Sequence, residues 1–330
     1  MDLYLIIVII MLALAVSGLV VGVANDAVNF LNSALGSKAA PRYVIMTVAS
    51  VGIIVGAITS NGMMEVARSG VFHPEMFTFA EVMLLFLAVM FTNVILLDIF
   101  NTLGMPTSTT VSLVFGLLGA AVGISIFKIA NDALVTLPDG SLATMADMIN
   151  TGNAMAIIGG ILISVVIAFV CGTVVMYITR LIFSFRYQSK LKSYGAVWCG
   201  IALTAISYFA VFKGLKGTQV IPADWMSWME GHIPMMLGGL LVGWSLIMSI
   251  LSMLKVNILR ITVLAGTFSL ALAFAGNDLV NFIGVFVAGV DAYDIVRTTG
   301  DTNMLMGGLN DPVVANLLIL FLSGAVMVVT

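Results

Sequence analysis

Charge is what this chain has least of. Only 9% of its residues are Asp, Glu, Lys or Arg, against 61% hydrophobic. A soluble domain carries nearer to a quarter charged residues, so lipid is the solvent that this composition fits. The 13 Lys+Arg and 16 Asp+Glu give a net charge of −3. They form no basic stripe, so a nucleic-acid partner is not expected. The two cysteines, Cys171 and Cys199, each lie in an apolar run, outside any CxxC or Cys/His cluster. They read as packing residues, and no redox pair, resident metal or cofactor is expected. His73 and His232 sit in loops near Pro74 and Pro234 and read as solvated. The N-terminus lacks the basic region of a signal peptide, so the first apolar run reads as a retained span.

Long apolar runs are abundant. They cover 3–24, 43–59, 82–97, 111–127, 154–179, 194–212, 233–254, 261–290 and 313–330. About 20 apolar residues cross a bilayer as a helix, and a helix satisfies its own backbone there. The runs are continuous, which argues against the alternating pattern of a barrel. The 32 glycines and 22 methionines suit close helix packing. Arg180, Arg186, Lys190 and Lys192 crowd one short loop, which the positive-inside rule places in the cytoplasm. Counting spans from there puts Lys38, Arg42, Lys255 and Arg260 inside as well. The loops 128–153, 213–232 and 291–312 fall outside, with the N-terminus. Within the first of these, Leu137-Pro138-Asp139-Gly140-Ser141 reads as a turn.

Polar residues inside the spans are rare, and they repeat. Residues 25–30 read Asn-Asp-Ala-Val-Asn-Phe and residues 277–282 read Asn-Asp-Leu-Val-Asn-Phe, differing only at the third position. The two copies run through the membrane in opposite senses, the mark of an inverted-topology repeat with its site on broken helices. Gly276 and the polar pair beside it suggest such a break. A carboxylate in the bilayer centre costs about 2.5–3.5 kcal/mol even on insertion scales, so Asp26 and Asp278 need partners or a wet cavity. Asn, Asp and Asn at i, i+1 and i+4 could form a hard-oxygen cage for Na⁺ or a proton relay. They could equally cap helix ends or hydrogen-bond between helices.

A second polar feature is Asn101-Thr102-Leu103-Gly104-Met105-Pro106-Thr107-Ser108-Thr109-Thr110, followed by an apolar helix. Proline, then hydroxyls, then a helix describes a helix N-terminus, whose N–H groups favour an anion. Thr107, Ser108, Thr109 and Thr110 add neutral donors for a tetrahedral oxyanion. The flanking runs are short, which suggests a re-entrant hairpin with this cluster at its tip. A polar turn at the membrane surface is the plainer alternative. Asn93 and Asp98 could line the same cavity, and Asp98 could instead sit at the interface.

These residues resemble the inorganic phosphate transporter (PiT) family of Na⁺- or H⁺-coupled permeases. That family carries a G-A-N-D-V-A-N motif in each half, each followed by P-V-S-T-T-H. The matching residues here are Val23-Ala24-Asn25-Asp26-Ala27-Val28-Asn29, Ala275-Gly276-Asn277-Asp278-Leu279-Val280-Asn281 and Pro106-Thr107-Ser108-Thr109-Thr110-Val111. Val23 replaces the motif glycine, Val111 replaces the histidine, and no second hydroxyl motif follows Asn281, so a C-terminally truncated chain is expected.

The resemblance implies an all-α integral membrane fold: a polytopic helical bundle with an inverted repeat, broken helices and a re-entrant hairpin. Residues 1–153 would form the first repeat, 154–254 the connecting spans, and 255–330 the start of the second repeat. It implies a symporter of inorganic phosphate in the plasma (inner) membrane, with a homodimer left open. Asn25, Asp26, Asn29, Asn277, Asp278 and Asn281 would bind the coupling cation, and Thr107, Ser108, Thr109 and Thr110 the phosphate. Sulfate is the nearest alternative substrate. An intramembrane aspartyl protease would also need two Asp on facing spans, but its Tyr-Asp and Gly-x-Gly-Asp patterns are missing from the spans. A membrane sensor that transports nothing is a third class.

Overall fold

The computed structural model describes residues 2–60, 69–137, 140–185, 187–215, 222–311 and 316–330. The helices are α1 (Asp2–Gly36), α2 (Arg42–Ile58), α3 (Phe79–Thr102), α4 (Thr109–Ala130), the single turn α5 (Met145–Met148), α6 (Thr151–Phe183), α7 (Tyr187–Phe209), α8 (Ala223–Gly231), α9 (Ile233–Met253), α10 (Ile258–Thr299) and α11 (Leu317–Val329). Seven helices among the described residues are long and apolar enough to cross a membrane, and α2 and α11 are shorter apolar helices. The nine apolar runs each became a helix. Arg186, Pro138 and Asp139 lie outside the described residues, as does the start of the last run.

One expectation fails. The chain stays helical through both Asn-Asp motifs, where broken helices were expected. Asn and Asp disrupt helices when their side chains compete for the local backbone. Asn25, Asp278 and Asn281 bond instead to distant groups, so the i→i−4 ladder continues. At 1.5 Å per residue, the 42-residue α10 is about 63 Å long, well over a bilayer core.

The chain forms two compact units, one of residues 1–27, 61–161 and 277–330, the other of 28–60 and 162–276. In the first unit, α3 and α4 form an antiparallel hairpin. Its arms have 24 and 22 residues, longer than the sequence runs suggested, and each is long enough to cross. The start of α3 is fixed by a capping box. The Thr78 N–H donates to Glu81 Oε2 at 2.7 Å and the Glu81 N–H donates to Thr78 Oγ1. The same Glu81 oxygen accepts from Lys128 Nζ at 2.8 Å, near the end of α4. Lys128 is only 2% exposed, and also donates to the Met76 carbonyl at 3.1 Å. A buried ammonium persists only when paired like this, so the clasp holds the open end of the hairpin. Loops cap that end: the Phe79 N–H donates to the Met304 carbonyl, the Met306 N–H to the Phe77 carbonyl, and the His73 N–H to the Met148 carbonyl. Buried Phe72, Phe77 and Phe79 fill the space beneath.

Also in this unit, α1 packs against α10 in antiparallel register. Gly289 lies against Met11, and Gly22 against the Phe282 ring so closely that any Cβ would overlap it. The second unit repeats the theme. Gly52 and Gly56 of α2 press on the Phe268 and Leu272 carbonyls of α10, where a Cβ at Gly52 would come within 2.6 Å of backbone oxygen. Small residues one turn apart let helix backbones touch where lipid offers no hydrophobic drive. Cys199, Leu203, Met248 and Ile258 form a small core between α7, α9 and the start of α10. Much of α6 is bare, with exposed Leu162, Val166, Phe169 and Val174, as suits a helix facing lipid.

Candidate functional site

The site lies in the first unit, where the hairpin tip meets both Asn-Asp motifs. Pro106 and the Ser108 N-cap end the turn and start α4, and the Ser108 hydroxyl accepts from the Val111 N–H at 3.3 Å. Ser108 itself is exposed, Thr109 is buried, and Thr107 and Thr110 are half-buried.

The first motif holds the entering limb of the tip. Asn25 donates through Nδ2 to Asn101 Oδ1 at 2.8 Å and to the Met105 carbonyl at 3.3 Å. Its Oδ1 accepts from the Thr107 N–H at 3.0 Å. Asn101 returns the link by donating to the Val21 carbonyl of α1 at 2.8 Å. Asn25 is thus fully engaged in fixing the tip on α1.

The second motif holds the leaving limb. Asn281 Nδ2 lies within hydrogen-bond distance of Thr110 Oγ1 at 2.9 Å, Thr109 Oγ1 at 3.2 Å and Asp278 Oδ1 at 2.8 Å. Thr109 Oγ1 donates to Asp278 Oδ1 at 3.4 Å. The helical spacing read from the sequence does place Asn281 one turn from Asp278. Asp26 is 6% exposed and within electrostatic range of Asp278. The Asp278 carboxylate, the Asn281 amide and two threonine hydroxyls therefore converge in an apolar bundle.

Beside Asn281 is a cavity of about 10 Å³ lined by Leu14, Gly18, Asn93, Leu113 and Phe282, near the lower limit for one water. Asn93 faces it and accepts a hydrogen bond from the Ser112 hydroxyl. Asp98 is exposed and does not join.

Of the ten residues expected at the site, Asn25, Asp26, Thr107, Thr109, Thr110, Asp278 and Asn281 gather at the tip. Ser108 serves as the helix cap. Asn277 is exposed, and so is Asn29, which belongs to the other unit. Asn101 and Ser112 were missed as participants. Each acts through a partner far away or on another helix, and no local pattern signals that. The lone histidines hold no site. His73 pairs with Glu75 at 3.4 Å, and His232 stacks on Trp228 with centroids 4.6 Å apart.

Fold and site define a polytopic α-helical membrane protein with oxygen-rich groups buried among its spans. Comparison with known sequences narrows this class: the chain belongs to the phosphate transporter family, whose sequence model matches residues 22–329. It is therefore a member of a transporter family and not of an enzyme family. Among similar proteins is one of Thermococcus kodakarensis that carries the provisional name phosphate permease. It is 25% identical over 200 residues, covering 60% of this chain and 45% of that protein, so this chain spans less than half of its length. A solved structure described as the sodium-dependent phosphate transporter matches 98% of this chain and 74% of its own, with a TM-score of 0.65 and 18% identity. At that identity the likeness speaks for the fold.

Proposed function

We propose that this chain carries out Na⁺-coupled symport of inorganic phosphate. The observation that bears most weight is the Asn281 amide, which ties the Asp278 carboxylate to the Thr109 and Thr110 hydroxyls. A cation held by Asp26 and Asp278 would offset their mutual repulsion and lower the cost of bringing an anion to the hydroxyls. The anion would favour the cation by the same factor, which is what coupling requires. Carboxylate, amide and hydroxyl oxygens suit a hard cation. Phosphate is favoured as cargo by the family, and Na⁺ by the sodium dependence of the transporter with a similar structure. The hydroxyls of Thr107, Ser108, Thr109 and Thr110 and the first N–H groups of α4 would hold the anion without Arg.

On this reading the two Asn-Asp helices are an inverted repeat, which their antiparallel packing supports. The N-terminus is outside and the start of α7, which carries Lys190 and Lys192, is cytoplasmic, as the charge bias favours.

The test is uptake of labelled phosphate by proteoliposomes holding the full chain. Uptake is expected with an inward Na⁺ gradient and not with K⁺, and equimolar sulfate should not displace it. Uptake indifferent to Na⁺ would contradict the coupling, and displacement by sulfate would contradict the cargo.

A further inference from the structure

The second unit holds a pocket that the phosphate site does not use. It lies where α7 and α10 both begin, has a volume of about 290 Å³, and is lined by Tyr187, Gln188, Leu191, Lys192, Asn257 and Ile258, among others. Its lining mixes apolar Leu191, Val256 and Ile258 with polar Gln188, Lys192 and Asn257. A tight turn preforms it. Lys255 adopts a left-handed φ of 60°, its N–H donates to the Ser252 carbonyl at 3.0 Å, and the Val256 N–H donates to Leu251 at 2.9 Å. Asn257 then starts α10 by accepting from the Arg260 N–H at 3.1 Å.

The charge around this pocket has one sign. Lys192 lines it, Lys190, Lys255 and Arg260 each adjoin a lining residue in the chain, Arg180 belongs to the same unit, and all five are exposed. No acidic residue occurs between Arg180 and Asp224 or between Lys255 and Asp278 in the sequence. The ion pairs found among the described residues involve none of these five cations. Cationic side chains with no ion-pair partner among the described residues, at a pocket of mixed polar and apolar lining at the end of membrane-spanning helices, match one ligand class. We propose that the pocket binds the phosphodiester headgroup of an anionic phospholipid. Lys192 and Lys255 would meet the phosphate, Gln188 and Asn257 the headgroup hydroxyls, and Leu191 and Ile258 the start of an acyl chain. The amphipathic Tyr187 ring belongs at such an interface. Free phosphate shares the anionic chemistry, but it would leave the apolar part of the lining unused.

The experiment is native mass spectrometry of the full chain from nanodiscs of equal phosphatidylcholine and phosphatidylglycerol, counting retained lipids. Retained phosphatidylglycerol should exceed phosphatidylcholine. Each basic residue near an anionic surface strengthens binding about five-fold. The Lys192→Gln/Lys255→Gln double variant should therefore lower the preference about ten-fold or more. Both side chains are exposed, and an unchanged melting temperature checks folding. Arg180→Gln, on α6 and next to no residue of the lining, should lower it less than two-fold. Equal retention of the two lipids, or an Arg180→Gln loss as large as the double variant's, would overturn the proposal. So would displacement of the lipid by 10 mM inorganic phosphate, which would assign the pocket to free phosphate.

Discussion

In the first Asn-Asp motif Asn25 and Asp26 are buried and Asn29 is exposed. In the second, Asn281 is buried, Asp278 is half-buried and Asn277 is exposed. Two nearly identical hexapeptides thus present different positions to one hairpin. The first grips mostly backbone: Asn25 bonds the Thr107 N–H and the Met105 carbonyl, beside the Asn101 side chain. The second grips side chains: Asp278 and Asn281 bond the Thr109 and Thr110 hydroxyls. The difference separates architecture from chemistry. Backbone groups cannot rearrange when cargo arrives, whereas hydroxyls can rotate from a protein partner to a bound oxyanion.

The sharpest way to break this comparison is to neutralise a carboxylate. Asp278→Asn keeps the size of the side chain and removes the charge that a cation needs. Na⁺-driven uptake should fall about 100-fold, equivalent to about 2.7 kcal/mol, with folding retained. Asp26→Asn should do the same. Near-normal uptake in either variant would remove the cation site.

A finer cut compares the two amides. Asn25→Ala strands the Thr107 N–H and the Asn101 carbonyl, so unfolding should become easier by about 2–4 kcal/mol. Asn281→Ala leaves hydroxyls that can find other partners, and should cost about 1 kcal/mol while weakening phosphate binding more. Thermal melts and binding isotherms on both variants check this. If Asn281→Ala proves the less stable and Asn25→Ala the weaker binder, the division of labour is reversed.

The smallest effect concerns the cap. Ser108→Ala removes the acceptor for the Val111 N–H, costs about 1 kcal/mol, and should weaken phosphate affinity a few-fold. Unchanged affinity would place the anion elsewhere.

Much of this was legible in the sequence because lipid makes polarity rare. The apolar runs marked the helices, and Asn and Asp inside them marked the site. The i, i+3 link between Asp278 and Asn281 followed from helical spacing alone. The supposed break did not survive, because side chains that bond across the bundle leave their own helix intact. Gly276 lies within the continuous α10, and its carbonyl accepts from the Ser60 hydroxyl at 2.8 Å. Asn101 and the Lys128–Glu81 clasp could not be foreseen. Their partners are set by how the hairpin folds back, and each residue alone looks like an ordinary turn or interface residue.

Coupling is the central claim, and phosphate affinity of the purified full chain, measured by calorimetry with and without Na⁺, tests it most directly. The account predicts that Na⁺ tightens phosphate binding at least ten-fold, about 1.4 kcal/mol, and that Asp278→Asn abolishes the gain. Equal phosphate affinity in Na⁺ and K⁺ for the unaltered chain would contradict it.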